Sequence, residues 1–146
     1  MSDSSFSLDP SETSFVFIEY QNEFCTPGGK LHDAVKECMA ENNMLENSSK
    51  MLKAARDSGS TVIHCPINFE PGHHEISKSP YGILQGVKEG AAFTNGEWGA
   101  EFCADMKPAE GDLIVKGKSG LCGFMSTNLD FLLSQHGTKN VVLGGL

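Results

Sequence analysis

The chain of 146 residues is long enough for one domain with a substantial core, and its 39% apolar and 21% charged residues are those of a globular protein, not a disordered one. Nineteen acidic against eleven basic residues leave a formal charge of −8, which excludes nucleic acid and anionic membranes as main partners, since both call for a basic footprint. No run reaches the ~18–20 apolar residues of a membrane span, and residues 1–12 have neither the basic start nor the apolar stretch of a signal peptide.

The expected address is therefore the cytoplasm. Five cysteines, odd in number and without C-x-x-C spacing, fit reduced thiols there. Residues 1–12, rich in Ser and Asp, read as a flexible arm ahead of a single domain over 13–146. The run Ser14-Phe-Val-Phe-Ile-Glu19 is too short for a typical helix and rich in β-branched and aromatic residues, as in a strand buried on both faces of a parallel sheet. Thr26-Pro27-Gly28-Gly29 is a turn. Over 33–57, Val35, Cys38, Met39, Met44, Leu45, Met51, Leu52 and Ala55 recur at helical spacing. Asn42-Asn43 is a candidate break in that run and Gly59 a helix stop.

Thr61-Val-Ile-His-Cys65 predicts a second strand. Residues 66–96, punctuated by Pro66, Pro71, Gly72, Pro80 and Gly82, read as a long irregular stretch of the kind that covers a binding site or is mobile. A short helix is expected over 100–106, a third strand over 112–116, a helix over 126–135 and a fourth strand over 140–144. Four short buried strands alternating with helices indicate βαβ units: an α/β fold, a three-layer Rossmann-like parallel sheet with helices on both faces. In such sheets ligands sit beyond the carboxyl ends of the strands, where strand order reverses. Chemistry is expected at 19–22, 65–68, 116–118 and just past the fourth strand.

Three motifs at those places carry a resemblance. Phe17-Ile-Glu-Tyr-Gln-Asn-Glu-Phe24 stands where an apolar strand would run into Asp-x-Gln-Asn-Asp-Phe. Lys118-Ser-Gly-Leu-Cys-Gly-Phe124-Met-Ser-Thr127-Asn-Leu129 keeps the spacing of Lys-x-x-x-Ser-Ala-Phe-x-Gly-Thr-x-Leu, with Pro108 and Gly111-Asp112 ahead of it. Val141-Val-Leu-Gly-Gly145 matches a fourth strand leading into Thr-x-x-Cys-Val. Over residues 14–146 the chain thus resembles the isochorismatase-like cysteine hydrolases, which include nicotinamidases and other amidases.

The resemblance implies a triad of Glu19, Lys118 and a cysteine after the fourth strand, acting on a small-molecule substrate, an amide or an isochorismate-type vinyl ether. A thiol of pKa ~8.5 needs a base and a cation beside it to become a thiolate near neutral pH. Glu19 replaces the commoner Asp, its structural alternative being a salt bridge or surface group. Lys116 competes with Lys118, but the six-residue spacing to Phe124 selects Lys118. The same resemblance implies substrate contacts at Gln21, Asn22, Phe24, Cys122 and Phe124, the alternative for Cys122, and the favoured one, being a small buried hydrophobe. Trp98 lines the pocket or packs the short helix after it.

Since residue 146 precedes the family's cysteine, the expectation is that C-terminal strands are missing from this chain. The fragment is then inactive unless completed, and its expected partner is a second copy of itself in a homo-oligomer or a complementing C-terminal fragment. The alternative function is a non-catalytic module binding a metabolite or partner. Cys65 is a weak candidate for the nucleophile. No cofactor is expected and no metal: adjacent His73 and His74 point opposite ways on an extended chain, and the nicotinamidase Asp-x-His motif is absent.

Overall fold

The computed structural model describes residues 7–146. Of the arm expected over 1–12, residues 1–6 lie outside the described residues. Pro10–Glu12 form a 3-10 turn in which the Asp9 carboxylate accepts the Ser11 N–H at 2.9 Å. Four strands follow: β1 (Thr13–Ile18), β2 (Thr61–Cys65), β3 (Leu113–Ile114) and β4 (Asn140–Gly145). All pair in parallel, in the order β3-β2-β1-β4.

Side chains alternate along β1 and sort the core into two layers. Phe15 and Phe17 face one cluster, where they meet Leu52 and Ala55 of α3 (Met44–Ser58). Val16 and Ile18 face the other, which α5 (Leu129–Gln135) closes with Leu129, Leu132 and Leu133. Helices thus cover both faces of a parallel sheet, the three-layer α/β arrangement expected. Each large side chain buried this way contributes about 1.5–3 kcal/mol, before the entropy of ordering it is subtracted.

The helical run over 33–57 does split in two. After the single helical turn α1 (Asn22–Cys25), helix α2 (His32–Glu41) ends where Asn43 takes a left-handed backbone, φ 46°, which Asn tolerates better than most residues. Helix α3 ends on Gly59 at φ 76°, whose N–H reaches back to the carbonyls of Ala55 and Arg56. Gly144 and Gly145 let β4 come close to its neighbours: a Cβ at Gly145 would fall 2.5 Å from the Ile18 carbonyl oxygen.

Three expectations change in detail. The stretch 66–96 is not all irregular, for it holds α4 (Ile83–Glu89), anchored in the core by Val87. The helix expected over 100–106 is two 3-10 turns, Trp98–Ala100 and Ala104–Met106. Between them Phe102 bridges Gln21 and the Cys103 N–H donates to the Tyr20 carbonyl at 3.0 Å, which holds the chain extended. Strand β3 is only two residues long: the Val115 N–H still donates to the His64 carbonyl at 2.8 Å, the Lys116 N–H, on the side away from β2, donates to the Asn128 side chain at 2.8 Å, and the chain then leaves the sheet at the Gly117 turn. Asn128 so engaged does not cap α5; Thr127 Oγ1 takes the Leu129 N–H instead. Among the described residues no helix is long and apolar enough to cross a membrane.

Candidate active site

Strand order β3-β2-β1-β4 reverses between β1 and β4, so the crevice of this sheet opens beyond their carboxyl ends. Ile18, the last residue of β1, pairs with Gly145 at the end of β4. The residue that leaves β1 at this point is Glu19. Its backbone is left-handed, φ 60°, which costs a non-glycine residue about 1 kcal/mol or more and recurs at functional sites. Its N–H donates to the Cys65 carbonyl at 3.1 Å, and the Gln21 N–H donates to its carbonyl at 2.7 Å.

Lys118 arrives from the far edge of the sheet. Gly117, φ 87°, turns the chain inward, and a Cβ there would fall 2.5 Å from the Ser126 carbonyl oxygen. Lys116, two residues earlier, stays exposed, whereas Lys118 is 2% exposed and its ammonium donates to Glu19 Oε1. Ninety-nine residues apart in sequence, the two make a buried ion pair. A carboxylate held against an ammonium with solvent largely excluded can take a proton from a neighbouring acid while the cation stabilises the anion that results.

Cys65, whose carbonyl accepts the Glu19 N–H, is buried. Burial pushes its thiol up to about 11, against the pull of the Lys118 charge, so it stays protonated near neutrality. Cys122 is exposed. The backbone N–H groups of Phe124 and Met125 donate to its sulfur and hold its thiol below the ordinary value. With Gly117, Ser119 and Ser126 it lines a cleft that adjoins a second one walled by Asn68, Glu70, Asn95 and Lys118.

The other candidate residues fall into two groups. Phe124 and Trp98 have exposed side chains, at 57% and 49%. Gln21, Asn22 and Phe24 are buried and engaged by the protein itself. Asn22 Nδ2 donates to the Trp98 carbonyl at 2.9 Å, and its Oδ1 accepts from the Thr26 hydroxyl at 2.7 Å. Phe24 packs in the core with its ring 5.1 Å from that of Phe93. Gln21 Oε1 accepts the Ile67 N–H at 2.8 Å, and Nε2 donates to the carbonyls of Ile67 and Ala100, each at 2.8 Å.

Glu23, which the sequence reading passed over, is a buried carboxylate receiving the Lys30 N–H at 2.6 Å and the Phe93 N–H at 3.2 Å. An acidic residue inside a motif whose neighbours are buried was the available signal. Among the described residues no three His, Cys, Asp or Glu side chains converge as cation ligands. His73 is buried with its Nε2 2.7 Å from the Ala92 carbonyl, and His64 Nε2 lies 3.0 Å from Asp112.

Comparison with known proteins identifies the family and the fold. Residues 13–146 match the sequence profile of the Isochorismatase domain. The chain is 27% identical over 150 residues to the ureidoacrylate amidohydrolase RutB of Rhizobium rhizogenes, covering 95% of this chain and 61% of that protein. With RutB of Agrobacterium fabrum it shares 29% over 152 residues, covering 95% and 65%. The chain therefore spans under two thirds of the length of these curated relatives. Among solved structures, the N-carbamoylsarcosine amidase of Thermoplasma acidophilum superposes with a TM-score of 0.71 at 26% identity, over 92% of this chain and 67% of that one. A cysteine hydrolase of Pseudomonas syringae pv. phaseolicola shares the fold with a TM-score of 0.76 at 20% identity, over 97% and 62%.

Proposed function

This chain belongs to the isochorismatase family, and on that premise we propose that it carries the base and the cation of a cysteine hydrolase site acting on a small amide or ureido substrate. The observation that carries the reading is the buried Glu19–Lys118 pair at the reversal point of the sheet. The amide choice, over a vinyl ether, draws on the names of the relatives, an amidohydrolase and an amidase.

Glu19 takes the proton of a cysteine thiol and Lys118 stabilises the charges that follow. The thiolate adds to the substrate carbonyl. As the C–N bond breaks, the amine leaves with the proton returned by Glu19, and water then hydrolyses the acyl-cysteine: a thioester from an amide, or a thiocarbamate from a ureido substrate, whose carbamate product breaks down to an amine and carbon dioxide. None of the five cysteines follows β4, where the family keeps its nucleophile. The pairing of Gly145 with Ile18 supports the assignment, since a residue just past β4 would emerge beside Glu19. Cys122, Phe124 and Trp98, with exposed side chains, are available to the substrate. Reduced thiols of this kind suit a cytoplasmic setting.

The test is ammonia release from ureidoacrylate and N-carbamoylsarcosine by the protein as its source makes it. Lys118→Ala and Glu19→Gln should each lower kcat/KM by about 10²-fold or more. Near wild-type turnover in either variant would remove that residue from the mechanism. No turnover by the unaltered protein would favour a metabolite-binding module instead.

A further inference from the structure

Glu19 and Lys118 reach each other from different strands, yet their backbones hang from the same short segment, residues 65–68. The Cys65 carbonyl accepts the Glu19 N–H at 3.1 Å, and the Asn68 N–H donates to the Lys118 carbonyl at 3.0 Å. The Ser119 hydroxyl adds a bond to the Asn68 carbonyl at 3.2 Å. Between those attachments lies Ile67, whose N–H and carbonyl are both held by the amide of Gln21, 2.8 Å each. The second amide hydrogen of Gln21 goes to the Ala100 carbonyl. Gln21 is 0% exposed.

A primary amide has two donor hydrogens, and both are spent on the protein backbone, leaving none for a substrate. The side chain follows the left-handed turn at Glu19 by two residues and stitches the exit of β1 to the exit of β2. We propose that Gln21 is a positioning residue that fixes segment 65–68 against the β1 exit and so sets the pairing of Glu19 with Lys118. The inference rests on the reading of that pair as the base and cation of the site, and it acts through Glu19 without contact to the reacting atoms. A shift of the order of 1 Å in such a supporting group is enough to cost about 10²-fold in rate.

Two readouts test it. In the 146-residue chain with isotope-labelled lysine, the buried Lys118 ammonium should give a magnetic-resonance signal protected from solvent exchange, absent in Glu19→Gln. Gln21→Met, near in shape but without polar atoms at its end, should abolish that signal while circular dichroism still shows a folded chain. In the protein as its source makes it, Gln21→Met should lower kcat by about 10²-fold with KM within about three-fold, and add no further loss in a Glu19→Gln background. A folded Gln21→Met that keeps the protected ammonium, or a loss that multiplies with that of Glu19→Gln, overturns the proposal. If Gln21→Met does not fold, Gln21→Glu is read the same way, since it keeps the acceptor for Ile67 and loses both donors. A wild-type chain with no protected ammonium would sink the pairing itself and this inference with it.

Discussion

The exits of β1 and β2 and the flank formed by β4 and α5 are built on opposite terms. At the exits Glu19, Gln21, Asn22 and Glu23 are buried, and each has hydrogen-bond partners in the protein. On the flank Val141, Leu143 and Phe131 are 45%, 65% and 62% exposed. Polar groups out of water must be paired with directional partners, so the first region holds one geometry. Apolar groups in water ask only to be covered, so the second fixes little and favours association. The proposed Glu19–Lys118 site is built in the first way.

The largest effect expected from this contrast is at the ion pair. Lys118→Met leaves a carboxylate buried without its cation and should cost about 3–5 kcal/mol in urea unfolding, with much of it recovered by adding Glu19→Gln. A cost under about 1 kcal/mol would mean the exits are looser than their hydrogen bonds imply. Next comes Glu23→Ala, which strands the N–H groups of Lys30 and Phe93 and should cost about 2–3 kcal/mol by the same measurement.

Acid should act on the polar side of the molecule ahead of the apolar flank. Burial holds His64 below the ordinary imidazole value, with Asp112 pulling the other way. Burial alone would raise Asp112, but hydrogen bonds from Arg56, the Ala109 N–H and His64 bring its carboxyl below the ordinary value. In the unfolded chain His64 binds a proton below about pH 6.5, before the folded chain does, so stability falls as the pH drops from there. The Asp112 contribution is whole above about pH 3.9 and is lost as the pH falls through its depressed folded value. Thermal melts across this range should show the upper step, and His64→Gln should flatten it while leaving the lower one. The smallest effect on stability is expected on the flank. Leu143→Lys should change it by under about 0.5 kcal/mol while reducing self-association of the 146-residue chain in sedimentation.

The same contrast explains what could be read from the sequence. Strands β1 and β2 were legible because a doubly covered parallel strand is an unbroken apolar run, β4 because its run is apolar on both faces although one of them is exposed, and the break at Asn42-Asn43 because Asn suits a left-handed cap. The extent of β3 was not, for the chain leaves the sheet at Gly117 and carries Lys118 to a partner 99 residues away. Nor was the split over 100–106, which depends on backbone bonds to Tyr20 and Gln21. Glu19 and Lys118 were found by motif spacing, and their contact needed the sheet to bring together positions 99 apart. The hydrogen-bonding of Gln21 lay beyond any local pattern, because its partners are the backbones of Ile67 and Ala100.

Glu19 also bears on which residues the position can exchange with over evolutionary time. Its left-handed backbone is a conformation that Asp adopts several-fold more readily than an average residue, and Glu does not share that advantage. The shorter acid would ease the turn and withdraw its carboxylate by one methylene from Lys118. The longer one keeps its reach and carries the conformational cost. A change between the two acids, conservative by charge, is therefore not neutral here. It moves a penalty from the main chain to the ion pair, and compensating changes are to be sought around Lys118 more than around Glu19 itself.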